Sequence, residues 1–421
     1  MNTRPLASIG VAFLAAFASK APAEPWDWEA LAAVAVANYP SIQASLEEQH
    51  AAQSDLDSAR WQRFPTPSVQ ASRTDDGDDQ VVIQVQQPLW TGGRITAGIN
   101  AGEARLAAAG GGVGEAEQEV LLRVAETYVD AVRAQAQQQV STENVRQHEQ
   151  LRDLIARRVA QQISPEVDLS LAESRLAQAQ TDLSSITQQL DIALEELGEL
   201  VGQPVESIDP VVDWEAALPG LESEAQAEAS RYSPLLFRLA EERRAAGADV
   251  RSERARLFPV IALRLEHERG DGTLDDSESR ALIVLESEFD AGLSTLSATN
   301  AAVSRREALA RQREAAERQL RTEVASAWRQ WRAAQMRLDS AQRQRDSTQE
   351  VFESYTRQYV IGQKSWLDVL NAVREATDAA LSVETARAEM REPMLRIALL
   401  TGRLGELASA TVYDPPAGEH P

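Results

Sequence analysis

The stretch VQQPLWTGGR, residues 85–94, joins an alternating segment to a helix pattern. The apolar members of the preceding segment are Val81, Ile83 and Val85, and the polar ones are Gln84 and Gln86. Such alternation is typical of a strand with one apolar face, and a proline-free, Ala-rich segment follows up to residue 164. Pro88 ends hydrogen bonding in a sheet, and Gly92-Gly93 permits a sharp change of direction. The stretch therefore predicts a strand that passes directly into a long helix.

The same design occurs twice. Pro40 and Phe64-Pro65 recur 194 residues later as Pro234 and Phe258-Pro259, and WTGG at 90–93 recurs 199 residues later as FDAG at 289–292. A coiled-coil pattern with spacings of three and four runs from Leu169 to Leu200, and every position stays apolar when 200 is added, with one proline at Pro393. The sequence therefore predicts two structural repeats, 24–211 and 212–408.

Each repeat predicts the same series of elements. In the first repeat, a helix is followed by a β-hairpin at about 66–90, a long helix at about 91–162 and a heptad helix at 165–201. In the second repeat, a helix is likewise followed by a hairpin at about 259–289, a long helix at about 291–361 and a heptad helix at 365–402. A helix over 91–162 is roughly 100 Å long, too long for the core of a compact domain. Ser164, Pro165 and Glu166 predict the start of the first heptad helix as cap, first-turn proline and acidic residue.

The four predicted strands have one apolar and one polar face, which suits a membrane barrel with a wet lumen and fits a half-buried soluble hairpin equally well. Two hairpins cannot close a barrel, so several chains must contribute strands. Trp90, Phe289, Phe64 and Phe258 stand at the strand ends opposite the acidic loops. They fit either an interfacial aromatic belt or ordinary packing at a corner.

The chain ends predict export and a loose tail. Arg4, the apolar run from Leu6 to Ala18 and Ala21-Pro22-Ala23 predict a signal peptide over residues 1–23. Residues 409–421 are expected to be disordered. The chain has no cysteine, and its formal net charge of −23 argues against nucleic acid as a partner.

Nothing in the sequence points to an enzyme. The four histidines, His50, His148, His267 and His420, are scattered, and no His/Glu spacing suits a metal. We therefore expect no catalytic residues, no metal and no cofactor.

QPLWTGGR at 87–94 and YVIGQKSWLDVLNA at 359–372, in this order and with the duplication, resemble the TolC family of outer membrane channel proteins. The similarity covers roughly residues 27 to 407. It implies a mainly α fold with a small β part, in which long antiparallel coiled-coil helices accompany four strands per chain. It further implies a homotrimer in which these strands form a 12-stranded outer membrane β-barrel, continued by a periplasmic α-helical barrel.

The resemblance also implies a function. The chain would be the exit duct of a tripartite export system, with an inner membrane ABC or other transporter and a periplasmic adaptor protein. ISPEVDLSLAESRL at 163–176 is similar to the branch that serves type I secretion of large repeat adhesins, and small-molecule efflux is the other cargo class. The alternative from another class is a periplasmic coiled-coil scaffold or adaptor without a pore.

Family resemblance assigns the candidate site residues. Asp368 and Asn371 match the acidic positions that ring the periplasmic entrance, with asparagine at the second. Tyr359, Lys364 and Asp168 match the latch that holds the entrance closed. Asp168 and Asp368 fit equally well as residues that favour the dipole at a helix start.

A glycine run, Gly110, Gly111, Gly112 and Gly114, lies within the first long helix and departs from the family pattern. It predicts a local kink or close packing against a neighbouring helix.

Overall fold

A computed structural model of the chain describes residues 25–73, 79–210, 218–270, 277–287 and 294–404. The expected signal peptide, the expected C-terminal tail, Phe289, Gly292 and the tips of both hairpins lie outside these ranges. Within them, no helix combines the length and apolarity that crossing a membrane requires.

The duplication is visible in the element bounds. The first repeat contains α1 (Trp28–Asn38), α2 (Pro40–Trp61), β1 (Thr66–Arg73), β2 (Asp79–Trp90), α3 (Arg94–Ala160) and α4 (Glu166–Val201). The second contains α5 (Glu222–Tyr232), α6 (Pro234–Ala255), β3 (Val260–Gly270), β4 (Ser277–Glu286), α7 (Ser294–Val360) and α8 (Trp366–Leu400). The long helices α3 and α7 are each 67 residues long. Helices α5 and α6 begin 194 residues after their counterparts, and α7 and α8 begin 200 residues after theirs.

The four strands form one antiparallel sheet in the order β1-β2-β3-β4. The central pair, β2 and β3, joins the two repeats. The prediction that Pro88 ends the hydrogen bonding of β2 was wrong, because the register shifts between Pro88 and Trp90 and the pairing then continues, with Trp90 opposite Ile261. Because the register aligns Pro67, Val85 and Leu265 across three strands, one face of the sheet collects most of the apolar residues, and His267 lies towards the hairpin tip on the same face. This face is open to solvent in a single chain: Val69 is 70% exposed and Ile283 is 76% exposed. The prediction of four strands with one apolar face is confirmed.

Buried side chains concentrate between the helices. Helix α3 packs against α2, α4, α6 and α8, whereas α7 packs against α5, α6 and α8. The largest buried cluster includes Trp28, Tyr128, Leu197 and Leu395 and lies where α1 meets the long helices. A second cluster, around Ile155 and Val369, holds the ends of α3 and α7 that are remote from the sheet.

The start of α4 differs from the prediction. Helix α4 begins at Glu166, its N-cap position is Pro165, and no side chain caps it. Ser164 instead accepts a hydrogen bond from Arg158 Nε at 3.4 Å. The prediction that Ser164 caps this helix was wrong because Pro165 already takes the extended backbone conformation of the N-cap.

Close packing against a neighbouring helix accounts for Gly111 in the glycine run. Helix α3 continues through it without interruption. A Cβ atom at Gly111 would lie 3.0 Å from Arg238 Cβ and 3.1 Å from Arg238 Cα on α6. At Gly110 it would lie 3.2 Å from Gln49 Nε2 on α2. The absence of a side chain at Gly111 lets α3 approach the backbone of α6 closely, whereas the neighbour of Gly110 is the end of a flexible side chain.

Candidate functional site

The corner between β2 and α3 requires its glycines. Gly92 and Gly93 have φ values of 62° and 89°, in the left-handed region that L side chains rarely adopt. A Cβ atom at Gly92 would lie 2.9 Å from Phe258 Cβ and 3.0 Å from the carbonyl oxygen of Ala255. Gly93 then provides the N-cap position of α3. The corner therefore turns the chain within two residues while touching the start of the second hairpin.

Three of the four predicted corner aromatics lie together at one end of the sheet. Thr66 pairs with Gln86, and Val260 pairs with Glu286. The starts of β1 and β3 and the ends of β2 and β4 therefore lie at the same end of the sheet. The ring of Trp90 contacts that of Phe258 edge to face at 6.2 Å. Phe64 contacts Trp61 at 5.1 Å, and Trp61 is a fourth aromatic that sequence reasoning missed despite its position three residues before Phe64.

These aromatics pack on one another and still face outward. Trp90 is 44% exposed, and Phe64 and Phe258 are each 54% exposed. Leu89 and Leu257 beside them are also exposed. The corner thus carries an apolar surface at the end of the apolar sheet face, which is the arrangement that an interfacial belt requires.

The opposite face of the sheet is polar and has two unlike halves. On β1 and β2 its side chains are neutral, and on β3 and β4 they are mostly charged. Arg280 Nε donates to Glu266 Oε2 at 2.9 Å and its guanidinium lies 3.6 Å from Glu268. Arg264 donates to Gln86 Oε1 at 3.2 Å and lies 3.9 Å from Glu286. The alternation of Arg264 and Glu266 was visible in the sequence, but their cross-strand partners were not.

At the far end of the helices, the predicted latch residues are held by aromatic contacts. Tyr359 is buried, its ring lies 5.6 Å from that of Trp366, and the Arg158 guanidinium lies over it at 4.9 Å. Lys364 Nζ lies 4.0 Å above the ring of Tyr355.

Asp168 stands apart from both of these latch residues. Its backbone N–H donates to the carbonyl oxygen of Pro165 at 3.1 Å. In the part of the chain that the structure describes, no hydrogen bond or ion pair joins its side chain to Tyr359 or Lys364. A single chain therefore does not close the predicted latch by itself.

The predicted entrance residue Asp368 has a clear local role. Ser365 Oγ and the Ser365 backbone N–H donate to Asp368 Oδ2 at 2.8 Å and 3.0 Å, while the Asp368 N–H donates to Ser365 Oγ at 3.2 Å. This reciprocal capping box begins α8. The hydrogen bonds from Ser365 lower the pKa of Asp368 below its ordinary value, with a smaller contribution from Lys364. The carboxylate is therefore ionised at neutral pH.

Asn371 lies one turn further along α8, is exposed, and borders a cavity of about 210 Å³ between α3, α4 and α8. His148 and Arg175 border the same cavity. Burial, followed by the positive charge of Arg175, lowers the pKa of His148 below its ordinary value. Asp368 and Asn371 thus lie on adjacent turns, near groups that sequence reasoning did not connect with them.

Across the described ranges, no group of three or more His, Asp or Glu side chains could hold a metal ion.

Comparison with known proteins supports a channel. The family model described as "Outer membrane efflux protein" matches residues 31–203 and 226–403. No curated protein sequence matches the chain. The chain is similar in fold to the outer membrane protein VceC from Vibrio cholerae, with 18% identity, a TM-score of 0.73, and 90% of this chain and 96% of VceC covered.

Two further solved structures show the same fold. The CmeC outer membrane channel of Campylobacter jejuni has 14% identity and a TM-score of 0.75, with 92% of this chain and 90% of CmeC covered. The MtrE outer membrane channel of Neisseria gonorrhoeae, in its open state, has 17% identity and a TM-score of 0.75, with 89% and 88% covered. The two segments that the family model matches fall on the two repeats, and together they cover most of the chain. The chain therefore belongs to the outer membrane efflux protein family and is an outer membrane channel protein, not an enzyme, with a large helical part in the periplasm.

Proposed function

We propose that three copies of the chain assemble into the exit duct of a tripartite export system. The observation that carries this proposal is the pairing of β2 with β3 between the two repeats. Since β3 and β4 repeat β1 and β2, the free edge of β4 in one copy can pair with β1 of the next copy as β2 pairs with β3 within the chain. Unpaired edges cannot be left in a membrane, so the sheet must close through copies of itself.

The polar face argues for more than two copies. Two chains would supply eight strands, and an eight-stranded barrel has an interior that side chains fill. In the ion pair of Arg280 with Glu266, the Arg280 side chain remains 50% exposed. Such charged side chains require a lumen that contains water. Three chains supply twelve strands and leave room for a wet lumen, in agreement with the family resemblance.

Engineered disulfides test the assembly, because the chain has no cysteine of its own. Cysteine pairs that combine one position in β1 with one in β4 are expected to give dimers and trimers on denaturing gels, and no larger species. Pairs that combine β1 with β3 serve as the control, since β2 separates these strands within the sheet. Cross-linked tetramers, or only monomers at every pair, would contradict a trimer.

The entrance is the second part of the proposal. We infer that Asp368 of each chain contributes to a ring at the periplasmic end and that Asn371 leaves this ring with three carboxylates. A ring of like charges in a narrow passage attracts multivalent cations. Asp368→Asn is expected to weaken cation selectivity and trivalent block in bilayer recordings, and Asn371→Asp to strengthen both. Asn at 368 keeps an acceptor oxygen for Ser365, so the capping of α8 is largely preserved.

Closure would involve contacts between chains. Tyr359 with Lys364 on one side and Asp168 on the other are proposed to hold the entrance closed, and lysine makes this latch without a guanidinium fork. The double variant Tyr359→Phe with Asp168→Ala is expected to raise conductance. Unchanged conductance and selectivity in all of these variants would show that other residues build the entrance.

Cargo and partners are a further part of the proposal. We propose an inner membrane ABC or other transporter and a periplasmic adaptor as partners, with either small molecules or large secreted adhesins as cargo. The efflux name of the family supports the first, and the segment 163–176 supports the second. Deleting the gene and comparing drug sensitivity with the set of secreted proteins distinguishes them. A pore-free scaffold would be soluble without detergent after removal of residues 1–23, which the exposed apolar sheet face argues against.

Orientation completes the proposal. The aromatic corners continue into the long helices, so the loops containing Gly77 and Gly272 are proposed to face the cell exterior. An epitope inserted at either loop should be accessible on intact cells. Labelling only after permeabilisation would reverse this orientation.

A further inference from the structure

The polar face of the sheet carries its charges at defined levels, here called rungs, that the strand register sets. The first rung, nearest the aromatic corner, aligns Thr66, Gln86, Arg264 and Leu282. The second aligns Ser68, Gln84, Glu266 and Arg280, and the third aligns Gln70, Val82, Glu268 and Glu278. Each rung therefore has a neutral half on β1 and β2 and, on the second and third rungs, a charged half on β3 and β4.

Charge is distributed unevenly along these rungs. Arg264 on the first rung lies 3.9 Å from Glu286 and 3.8 Å from Glu266 on the second rung, so the formal charge of Arg264 is balanced by Glu286 while its guanidinium also faces Glu266. On the second and third rungs, the single cation Arg280 lies near three carboxylates, those of Glu266, Glu268 and Glu278. Two of these carboxylates, on Glu268 and Glu278, occupy directly paired positions, where like charges repel. Gln80 donates a hydrogen bond to Glu268, and Glu278 is exposed without a hydrogen bond or ion pair to any described residue.

We propose that the second and third rungs form a cation-selecting zone of the lumen, separate from the periplasmic entrance. This inference rests on the proposed trimeric channel. In three copies the two rungs would carry an excess of six negative charges, twice the number that Asp368 supplies at the entrance. The zone is built by Glu278 and Glu268, while Arg280 partly neutralises Glu266 and fixes the geometry.

The lumen is narrow enough for these charges to act. Twelve strands about 4.8 Å apart and tilted by about 40° give a backbone radius of about 12 Å. Side chains reduce the open radius further, so it is comparable to the Debye length of about 10 Å at 0.1 M salt. At 1 M salt the Debye length falls to about 3 Å, and the charges no longer reach the centre of the lumen. The selectivity of this zone should therefore disappear at high salt.

Charge removal and charge relocation on the third rung test the zone. Glu278→Gln removes three carboxylates per trimer, and Gln70→Glu adds three on the neutral half of the same rung. The reversal potential under a KCl gradient at about 0.1 M salt reports the ratio of cation to anion permeability. We expect Glu278→Gln to lower this ratio by about twofold or more and Gln70→Glu to raise it. The double variant, which restores the charge of the rung, should return to the value of the unmodified channel.

Matched controls separate this zone from the entrance and from the channel itself. Glu48→Gln removes an exposed carboxylate from α2, away from the sheet, and should leave the ratio unchanged. In an Asp368→Asn background, cation preference should persist and then fall on adding Glu278→Gln. If the variants conduct but their ratio of cation to anion permeability does not change with the substitutions at Glu278 and Gln70, the cation-selecting zone is overturned and the channel proposal is not. Chains that assemble no conducting pore would overturn both.

Discussion

Replacing Gly111 with alanine should destabilise the protein, although alanine is the better helix former. Gly111 lies inside α3, where a Cβ atom would be 3.0 Å from Arg238 Cβ and 3.1 Å from Arg238 Cα and N. These atoms belong to α6 and cannot rotate away. Arg238 is also held in place, because its Nε donates to Glu115 on α3 and its Nη1 donates to Glu242 at 2.6 Å. Helices α3 and α6 must therefore separate locally to admit the methyl group.

The magnitude follows from two opposing effects. Alanine in place of glycine stabilises a helix interior by about 1 kcal/mol. Overpacking of a close contact costs about 1 to 3 kcal/mol. The matched control is Gly98→Ala in the same helix, where a Cβ atom would have no neighbour within 4 Å and only the helix preference acts. We expect Gly98→Ala to be more stable than Gly111→Ala by about 1 to 3 kcal/mol.

Equilibrium unfolding of the detergent-solubilised protein by guanidinium, followed by helical circular dichroism, measures the difference. The two variants must be compared at equal protein concentration, since assembly contributes to apparent stability. If Gly111→Ala proves as stable as Gly98→Ala to within about 0.5 kcal/mol, the close approach of α3 and α6 does not depend on glycine at this position.

Three further changes have defined outcomes. Gln162→Gly should increase the free energy of unfolding by about 1 kcal/mol, because Gln162 holds a φ of 59° where Gly362 occupies the equivalent place in the second repeat; an unchanged denaturation midpoint would contradict this. His148→Gln should reduce the loss of stability on acidification below about pH 6.5, because His148 is protonated there in the unfolded chain but stays neutral in the folded protein, where burial lowers its pKa. Measuring the free energy of unfolding of both proteins between about pH 7 and 5 checks this sign. Gly92→Ala combines an unfavourable φ with a contact of 2.9 Å to Phe258 Cβ and should cost more than about 2 kcal/mol, which would appear as loss of the assembled protein from membranes.

Local patterns predicted most of the elements of the fold. Hydrophobic periodicity and the recurrence of proline, aromatic and glycine markers indicated both long helices and the paired heptad helices. The family resemblance read from these markers is confirmed by the family match. The predicted helix over 91–162 corresponds to α3 at Arg94–Ala160, since the left-handed glycines at 92 and 93 delay its start.

Contacts between segments that are distant along the chain could not be predicted from local sequence patterns. The pairing of β2 with β3 joins residues more than 170 positions apart, and no local marker specifies it. Similarly, nothing near Gly111 indicates that Arg238 is its neighbour. The predictions placed Asp368 at the start of α8 but did not include Ser365, its partner in the capping box. At the start of α4, Ser164 was predicted as the cap, but Pro165 occupies the N-cap position.

The two turns at the far end of the helices differ although the helices they connect are counterparts. The turn after α3 uses Gln162 in a left-handed conformation and exposes Ile163 and Val167, whereas the turn after α7 uses Gly362 and exposes Ile361 and Leu367. In a tube of three chains these six turns would alternate between two chemical surfaces around the rim. If every subunit of a ring-shaped partner made the same contact, only the three turns of one kind would serve as docking positions. The partner would then bind with one subunit per chain, and not with one subunit per repeat.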